Sequence, residues 1–178
     1  VYRALLEFGI VVMRDQNITP AQQIAFSRRF GALELHSIVP CRMPGHPEIL
    51  LVSNRRDDSG AFTGRPDAGR EWHSDSNFHA KPSLGSLLYA LEIPPEGGDT
   101  LFANMTAACA ALDPALKARA AGRNVRYVYG SRSAENTNTA LKVTMTQSQW
   151  DEVPQAVHPL LRTHPETGQK SIYLSLTT

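Results

Sequence analysis

Apolar positions fall in short blocks along the chain, most with the period of a strand and a few with the three-and-four spacing of a helix. Residues 2–8 read as a short amphipathic helix closed by Gly9, and the run Ile10-Val11-Val12-Met13 predicts a strand after it. Thr19 as N-cap, Pro20 at the first helical position and Gln22 in the capping-box place open a second helix. Its apolar residues are Ile24, Ala25, Phe26 and Phe30, and Gly31 is its expected end. This helix is expected to cover one face of a sheet. Ile49-Leu50-Leu51-Val52-Ser53 predicts a strand, followed by a polar loop over residues 54–70. Residues 83–93 are apolar on both faces, Leu84, Leu88 and Ala90 with Ser86 on one and Leu87, Tyr89 and Leu91 with Gly85 on the other. That predicts an interior strand packed on two sides.

After a turn at Pro94-Pro95-Glu96-Gly97-Gly98-Asp99, an extended run resumes at Thr100-Leu101-Phe102-Ala103. Asn104 or Thr106 can cap a helix through Leu112, and Asp113-Pro114 opens another that stops at Gly122. Residues 125–129 are strand-like, and 131–146 are polar without clear period. Residues 156–163 and 170–176 predict two strands joined by a hairpin loop, with Gly168 in it supplying a positive φ. Short strands, helices gathered toward the N-terminal side and in one insertion, no repeat and no βαβ alternation together predict an α+β fold built on a jelly-roll sandwich.

The 178 residues, 42% hydrophobic and 20% charged, suit a single domain over 1–178. A net charge of +1 without a Lys/Arg run gives no electrostatic footprint for nucleic acid or a membrane surface. Cys41 and Cys109 are the only cysteines, too few for a disulfide framework; they read as buried thiols in a reducing, cytoplasmic setting. The first residue is Val inside an amphipathic stretch, and the last residues follow directly on a strand-like run. The chain is therefore expected to continue at both ends.

Chemistry concentrates in Glu71-Trp72-His73-Ser74-Asp75-Ser76-Asn77-Phe78. In an extended strand alternate side chains share a face, so His73 and Asp75 can offer one imidazole nitrogen and one carboxylate oxygen to a single metal ion. A second His from a distant strand would complete the facial triad of a non-haem iron oxygenase. A bare His-x-Asp is also what a surface His beside a turn-forming Asp looks like.

Further motifs accompany it in order: Arg28-Arg29-Phe30-Gly31 before His36, Pro82, Pro94-Pro95-Glu96-Gly97-Gly98-Asp99-Thr100-Leu101-Phe102, and His158-Pro159-Leu160-Leu161-Arg162-Thr163-His164-Pro165-Glu166-Thr167-Gly168. Together they closely resemble the Fe(II)/2-oxoglutarate-dependent dioxygenases of the taurine dioxygenase and 2,4-dichlorophenoxyacetate dioxygenase type. The resemblance implies a double-stranded β-helix with flanking helices, Fe(II) on His73 and Asp75, and Thr100 bonding a carboxylate of 2-oxoglutarate. It places His36, Ser76 and Phe78 against the substrate, a small organic acid that would be hydroxylated by O2 with release of succinate and CO2. A Tyr expected three residues after His36 is Val39 here, which argues against taurine itself. His158 and His164 are expected to bond backbone around the hairpin, and Arg162 to pair with a carboxylate.

The family's second His ligand and its 2-oxoglutarate-gripping Arg are expected downstream of the hairpin, yet no His or Arg follows Gly168. Two readings follow: a dioxygenase incomplete at its C-terminal end, or a truncated, non-catalytic jelly-roll protein of the same family. Uncovered sheet edges favour the first. Homo-oligomerisation is left open by the sequence.

Overall fold

The computed structural model describes residues 1–35, 41–66, 69, 71–128 and 155–175. Four helices and three antiparallel two-stranded ladders make up the described residues, an α+β arrangement as expected. Helix α1, Tyr2–Phe8, ends on Gly9 at φ 74°, the left-handed conformation that glycine adopts without a Cβ clash. The predicted strand after it forms no ladder. Helix α2, Pro20–Ser27, carries the full capping box: Thr19 accepts from the Gln22 N–H, and Gln22 accepts in return from the Thr19 N–H. It stops short of Gly31, with Arg28 as its C-cap and residues 29–31 held by three-residue turns instead.

The first ladder joins β1, Arg42–Met43, to β2, His46–Leu50, and α2 lies over it. Ile24 is buried there, and Arg28 pairs with Glu48 at 2.8 Å across the same contact. Beyond β2 the long polar loop folds back on the chain: the Arg65 N–H donates to Leu51 O and the Ser53 N–H to Arg65 O. Gly64 sits under this return, where a Cβ would stand 2.8 Å from Leu51 O. Gly64→Ala is therefore expected to destabilise the fold by about 1–3 kcal/mol, read as a lower thermal midpoint.

Residues 83–93 correct the two-sided interior strand. They pair with no strand among the described residues. Leu87 and Tyr89 are half-buried toward α2, with the Tyr89 hydroxyl donating to Gln16 O and the Gln23 side chain to Leu87 O. The opposite face, Leu84, Ser86, Leu88 and Ala90, is open, and Leu88 is 72% exposed. One side is packed; the other faces the functional segment.

Helix α3, Met105–Ala110, is capped by the Asn104 side chain accepting from the Thr106 and Ala107 N–H groups. Helix α4, Pro114–Ala120, is capped by Asp113. Strand β3, Asn124–Val128, pairs with β4, Gln155–Pro159, so the run predicted as a single strand over 156–163 breaks at Leu160. Beyond the break, β5, Leu161–Thr163, and β6, Lys170–Ile172, form the predicted hairpin with Gly168 at φ 70°. His164 Nδ1 accepts from the Glu166 and Thr167 N–H groups, as expected for a loop-bonding His. Arg162 lies over the Tyr173 ring at 4.8 Å, and among the described residues no carboxylate pairs with it. Helix α3 packs on β6 and buries Cys109, and Cys41 is buried too.

A polar core joins these ladders. Tyr173, after β6, meets both Tyr127 on β3 and His158 on β4 edge to face, Tyr127 and His158 are tilted at 45° to each other, and the Tyr127 hydroxyl donates to Tyr173 O at 2.7 Å. Burial raises both phenols above their ordinary value, so Tyr127 keeps the proton that it donates. The functional segment rests on this core.

Candidate metal centre

Residues 71–80 form no ladder. Residues 72–74 have no regular secondary structure and 75–78 turn, with the His79 N–H donating to Ser76 O at 3.0 Å. Ser76 takes a φ of 55°, a left-handed conformation costly for a residue with a Cβ and kept only where the surroundings enforce it. The two side chains that an extended segment would put on one face converge here: His73 Nε2 lies 3.2 Å from Asp75 Oδ1.

Which nitrogen carries the proton follows from the partners. His73 Nδ1 is 2.7 Å from the carbonyl oxygen of Glu71, which only accepts, so the ring proton is assigned to Nδ1. In the neutral ring Nε2 then presents its lone pair to a carboxylate oxygen that has only lone pairs to offer. A metal ion shared between them would satisfy both lone pairs. Two neighbouring ligands of one ion, each about 2.1 Å from it, stand about 3 Å apart. The backbone bond at Nδ1 is also the usual second contact of a metal-ligating imidazole.

Asp75 is oriented in the same way. Its Oδ2 accepts from the Ser86 hydroxyl at 2.7 Å, which turns Oδ1 toward His73 Nε2. The side chains of His73 and Asp75 are 38% and 58% exposed, so co-ligands have room to approach. Among the described residues no group of three or more His, Cys, Asp or Glu could hold a metal, so His73 and Asp75 stand there as a pair without a third such side chain.

Support comes from both sides of the turn. On the inner side the Ser74 N–H and the Asn77 amide both donate to Ser175 Oγ at 3.0 Å, and Asn77 is only 2% exposed. His158 Nε2 reaches the carbonyls of Asn77 and His79, each at 3.0 Å. It bonds backbone, as expected, but that of this turn rather than of the hairpin. On the outer side Glu34 accepts from the hydroxyls of Ser76 at 3.0 Å and Ser83 at 2.6 Å, and its other oxygen faces His79 Nε2 at 3.0 Å.

Partial burial works against the Glu34 charge, but the Ser83 and Ser76 hydroxyls and the His79 ring outweigh it and hold the carboxyl below its ordinary 4.5. A carboxyl lowered by folding adds stability that is present above its unfolded value and is lost as pH falls through the folded one. Glu34→Gln is expected to lower the thermal midpoint at neutral pH, and the difference from the unsubstituted protein should shrink as the pH falls below the carboxyl's ordinary value and on through its lowered one.

The other expected site residues are placed as follows. Ser76 gives its hydroxyl to Glu34. Phe78 is half-buried with its ring 4.6 Å from that of His79. Thr100 is exposed on a segment without regular secondary structure. His36 lies outside the described residues. Glu34, Ser86, Asn77 and Ser175 escaped the sequence reading. For Ser86 a signal existed, a lone hydroxyl on an otherwise apolar face; for Ser175 there was none.

The whole chain, residues 1–178, matches the taurine catabolism dioxygenase TauD, TfdA family. The chain belongs to that family. Among curated proteins, it is 32% identical over 173 residues to (S)-phenoxypropionate/alpha-ketoglutarate-dioxygenase of Sphingobium herbicidovorans, covering 96% of this chain and 59% of the relative. It is 32% identical over 185 residues to the alpha-ketoglutarate-dependent 2,4-dichlorophenoxyacetate dioxygenase of Cupriavidus pinatubonensis, covering 98% of this chain and 62% of the relative. A solved taurine dioxygenase from Burkholderia xenovorans superposes with a TM-score of 0.69 at 32% identity, over 98% of this chain and 52% of that one. AAD-2, solved in complex with Mn(II) and N-oxalylglycine, superposes with a TM-score of 0.68 at 29% identity, over 98% of this chain and 57% of that one. The chain thus spans about three fifths of the length of these curated relatives. No helix among the described residues of this family member is long and apolar enough to cross a membrane.

Proposed function

We propose that the intact protein is an Fe(II)- and 2-oxoglutarate-dependent dioxygenase that hydroxylates a small organic acid and releases succinate and CO2. The observation that carries this reading is the approach of His73 Nε2 to within 3.2 Å of Asp75 Oδ1 while Nδ1 is committed to Glu71 O. When bound, Fe(II) supplies activation of O2 coupled to the oxidative decarboxylation of 2-oxoglutarate. His73 and Asp75 are its ligands in this chain, and Ser86 holds the Asp75 carboxylate in place.

Thr100, which is exposed, is assigned to a carboxylate of 2-oxoglutarate, an assistance of about 1 kcal/mol from a neutral hydroxyl. His36, Ser76 and Phe78 are assigned to the substrate side. Relatives named for phenoxypropionate and 2,4-dichlorophenoxyacetate support an organic acid as substrate. Superposition on taurine dioxygenase supports a single jelly-roll domain over 1–178, and two buried thiols are consistent with a cytoplasmic setting.

Adding 2-oxoglutarate to the anaerobic Fe(II) form of the intact protein is expected to give a visible charge-transfer band. Its absence in protein that has bound iron would overturn the proposal. A screen of sulfonates, aryloxyacetates and other small acids for succinate release then identifies the substrate. Ser86→Ala is expected to weaken Mn(II) binding about tenfold in a titration of the apoprotein, with little change in thermal midpoint.

A further inference from the structure

We infer that His158 is a positioning residue for the metal pair: its Nε2–H, shared between the carbonyls of Asn77 and His79, fixes the turn that carries Asp75. The inference rests on the reading of His73 and Asp75 as ligands, and it assigns the origin of their geometry. Both atoms facing His158 Nε2 are carbonyl oxygens at 3.0 Å, so this nitrogen is the donor to each. Two carbonyls two residues apart can meet one donor only if the backbone between them bends back, and the chain does so directly after the left-handed Ser76.

The donor itself cannot drift. His158 is 5% exposed, stands opposite Val125 in the β3–β4 register, and meets Tyr173 edge-on at 5.3 Å and Tyr127 at 6.0 Å. A buried donor fixed by a ladder and two aromatic rings is a rigid reference point, whereas the turn it holds is exposed at His73 and Asp75. Ser175 secures the preceding half of the segment through the Ser74 N–H, close to the same core. The separation of the two ligands is therefore set by β4 and by Ser175, three residues past β6, more than by the loop's own sequence.

The test compares Mn(II) affinity and thermal midpoint in the intact apoprotein for the unsubstituted chain, His158→Leu, His158→Gln, His158→Asn and Tyr127→Phe. The Gln amide nitrogen can stand where Nε2 stood, whereas the Asn amide is too short to reach both carbonyls. Leu and Asn are expected to weaken Mn(II) binding about tenfold or more, and Gln to restore it to within about threefold. Tyr127→Phe, which loses the bond to Tyr173 O in the same core, should lower the midpoint and leave Mn(II) affinity unchanged. If His158→Leu does not fold, the Gln and Asn variants decide between the two outcomes. Unsubstituted affinity in folded Leu or Asn protein, or equal loss in Gln and Asn, would overturn the inference. Absence of Mn(II) binding in the unsubstituted protein would instead overturn the metal reading, and the inference with it.

Discussion

Replacing either His73 or Asp75 with Ala is expected to abolish succinate formation from 2-oxoglutarate in the intact protein. The loss should exceed the roughly ten- to hundredfold effect typical of changes one shell further out. Each substitution removes one of two converging lone pairs and leaves the ion a single protein ligand from this segment. Neither side chain is buried, at 38% and 58% exposed, so neither change should unfold the protein. Thermal midpoints should stay within about 2 °C of the unsubstituted value, since surface truncations of this kind rarely exceed about 0.5 kcal/mol. Succinate assays beside melting curves separate loss of the site from loss of the fold. Turnover surviving either substitution would rule out the ligand assignment.

Asn77→Ala should have the largest effect on stability in this segment. Asn77 is among the largest fully buried side chains, its amide donates to Ser175 Oγ, and its carbonyl receives the His158 donor. Truncation leaves a small cavity in a polar core and removes one of the two donors on Ser175. We expect a loss of about 2–3 kcal/mol, or about 5–10 °C in thermal midpoint for a chain of this size. Since the segment then loses an anchor on the side of Ser74, Mn(II) affinity should fall as well. A melting curve unchanged by the substitution would mean that the Asn77 amide adds nothing to the hold that His158 and Ser175 keep on the turn.

The caps and turns were legible in the sequence because their signals are local. Thr19-Pro20 with Gln22, Asn104, Asp113-Pro114, Gly9 and the Gly168 hairpin each satisfy or relieve backbone groups within a few residues of themselves. The pairing of His73 with Asp75 was legible for a related reason, a two-residue spacing, although a turn rather than a pleat brings the atoms together. Strand partners were not legible. The apolar run over 83–93 has the composition of an interior strand, but composition does not say which segments lie beside it, and among the described residues these are α2 and the turn that carries Asp75 rather than two strands. The break at Leu160 was missed because the two ladders on either side of it share one continuous apolar pattern. The supports of the site come from positions up to 101 residues away, as Ser74 and Ser175 do, and no periodicity records such a meeting.

The most direct test of the account is a crystal structure of the intact protein grown with Mn(II) and measured at the manganese absorption edge. We expect one anomalous peak between His73 Nε2 and Asp75 Oδ1, bonded to both, with Ser86 still on Asp75 Oδ2. A protein-bound ion located elsewhere, with these two side chains left uncoordinated, would contradict the central claim.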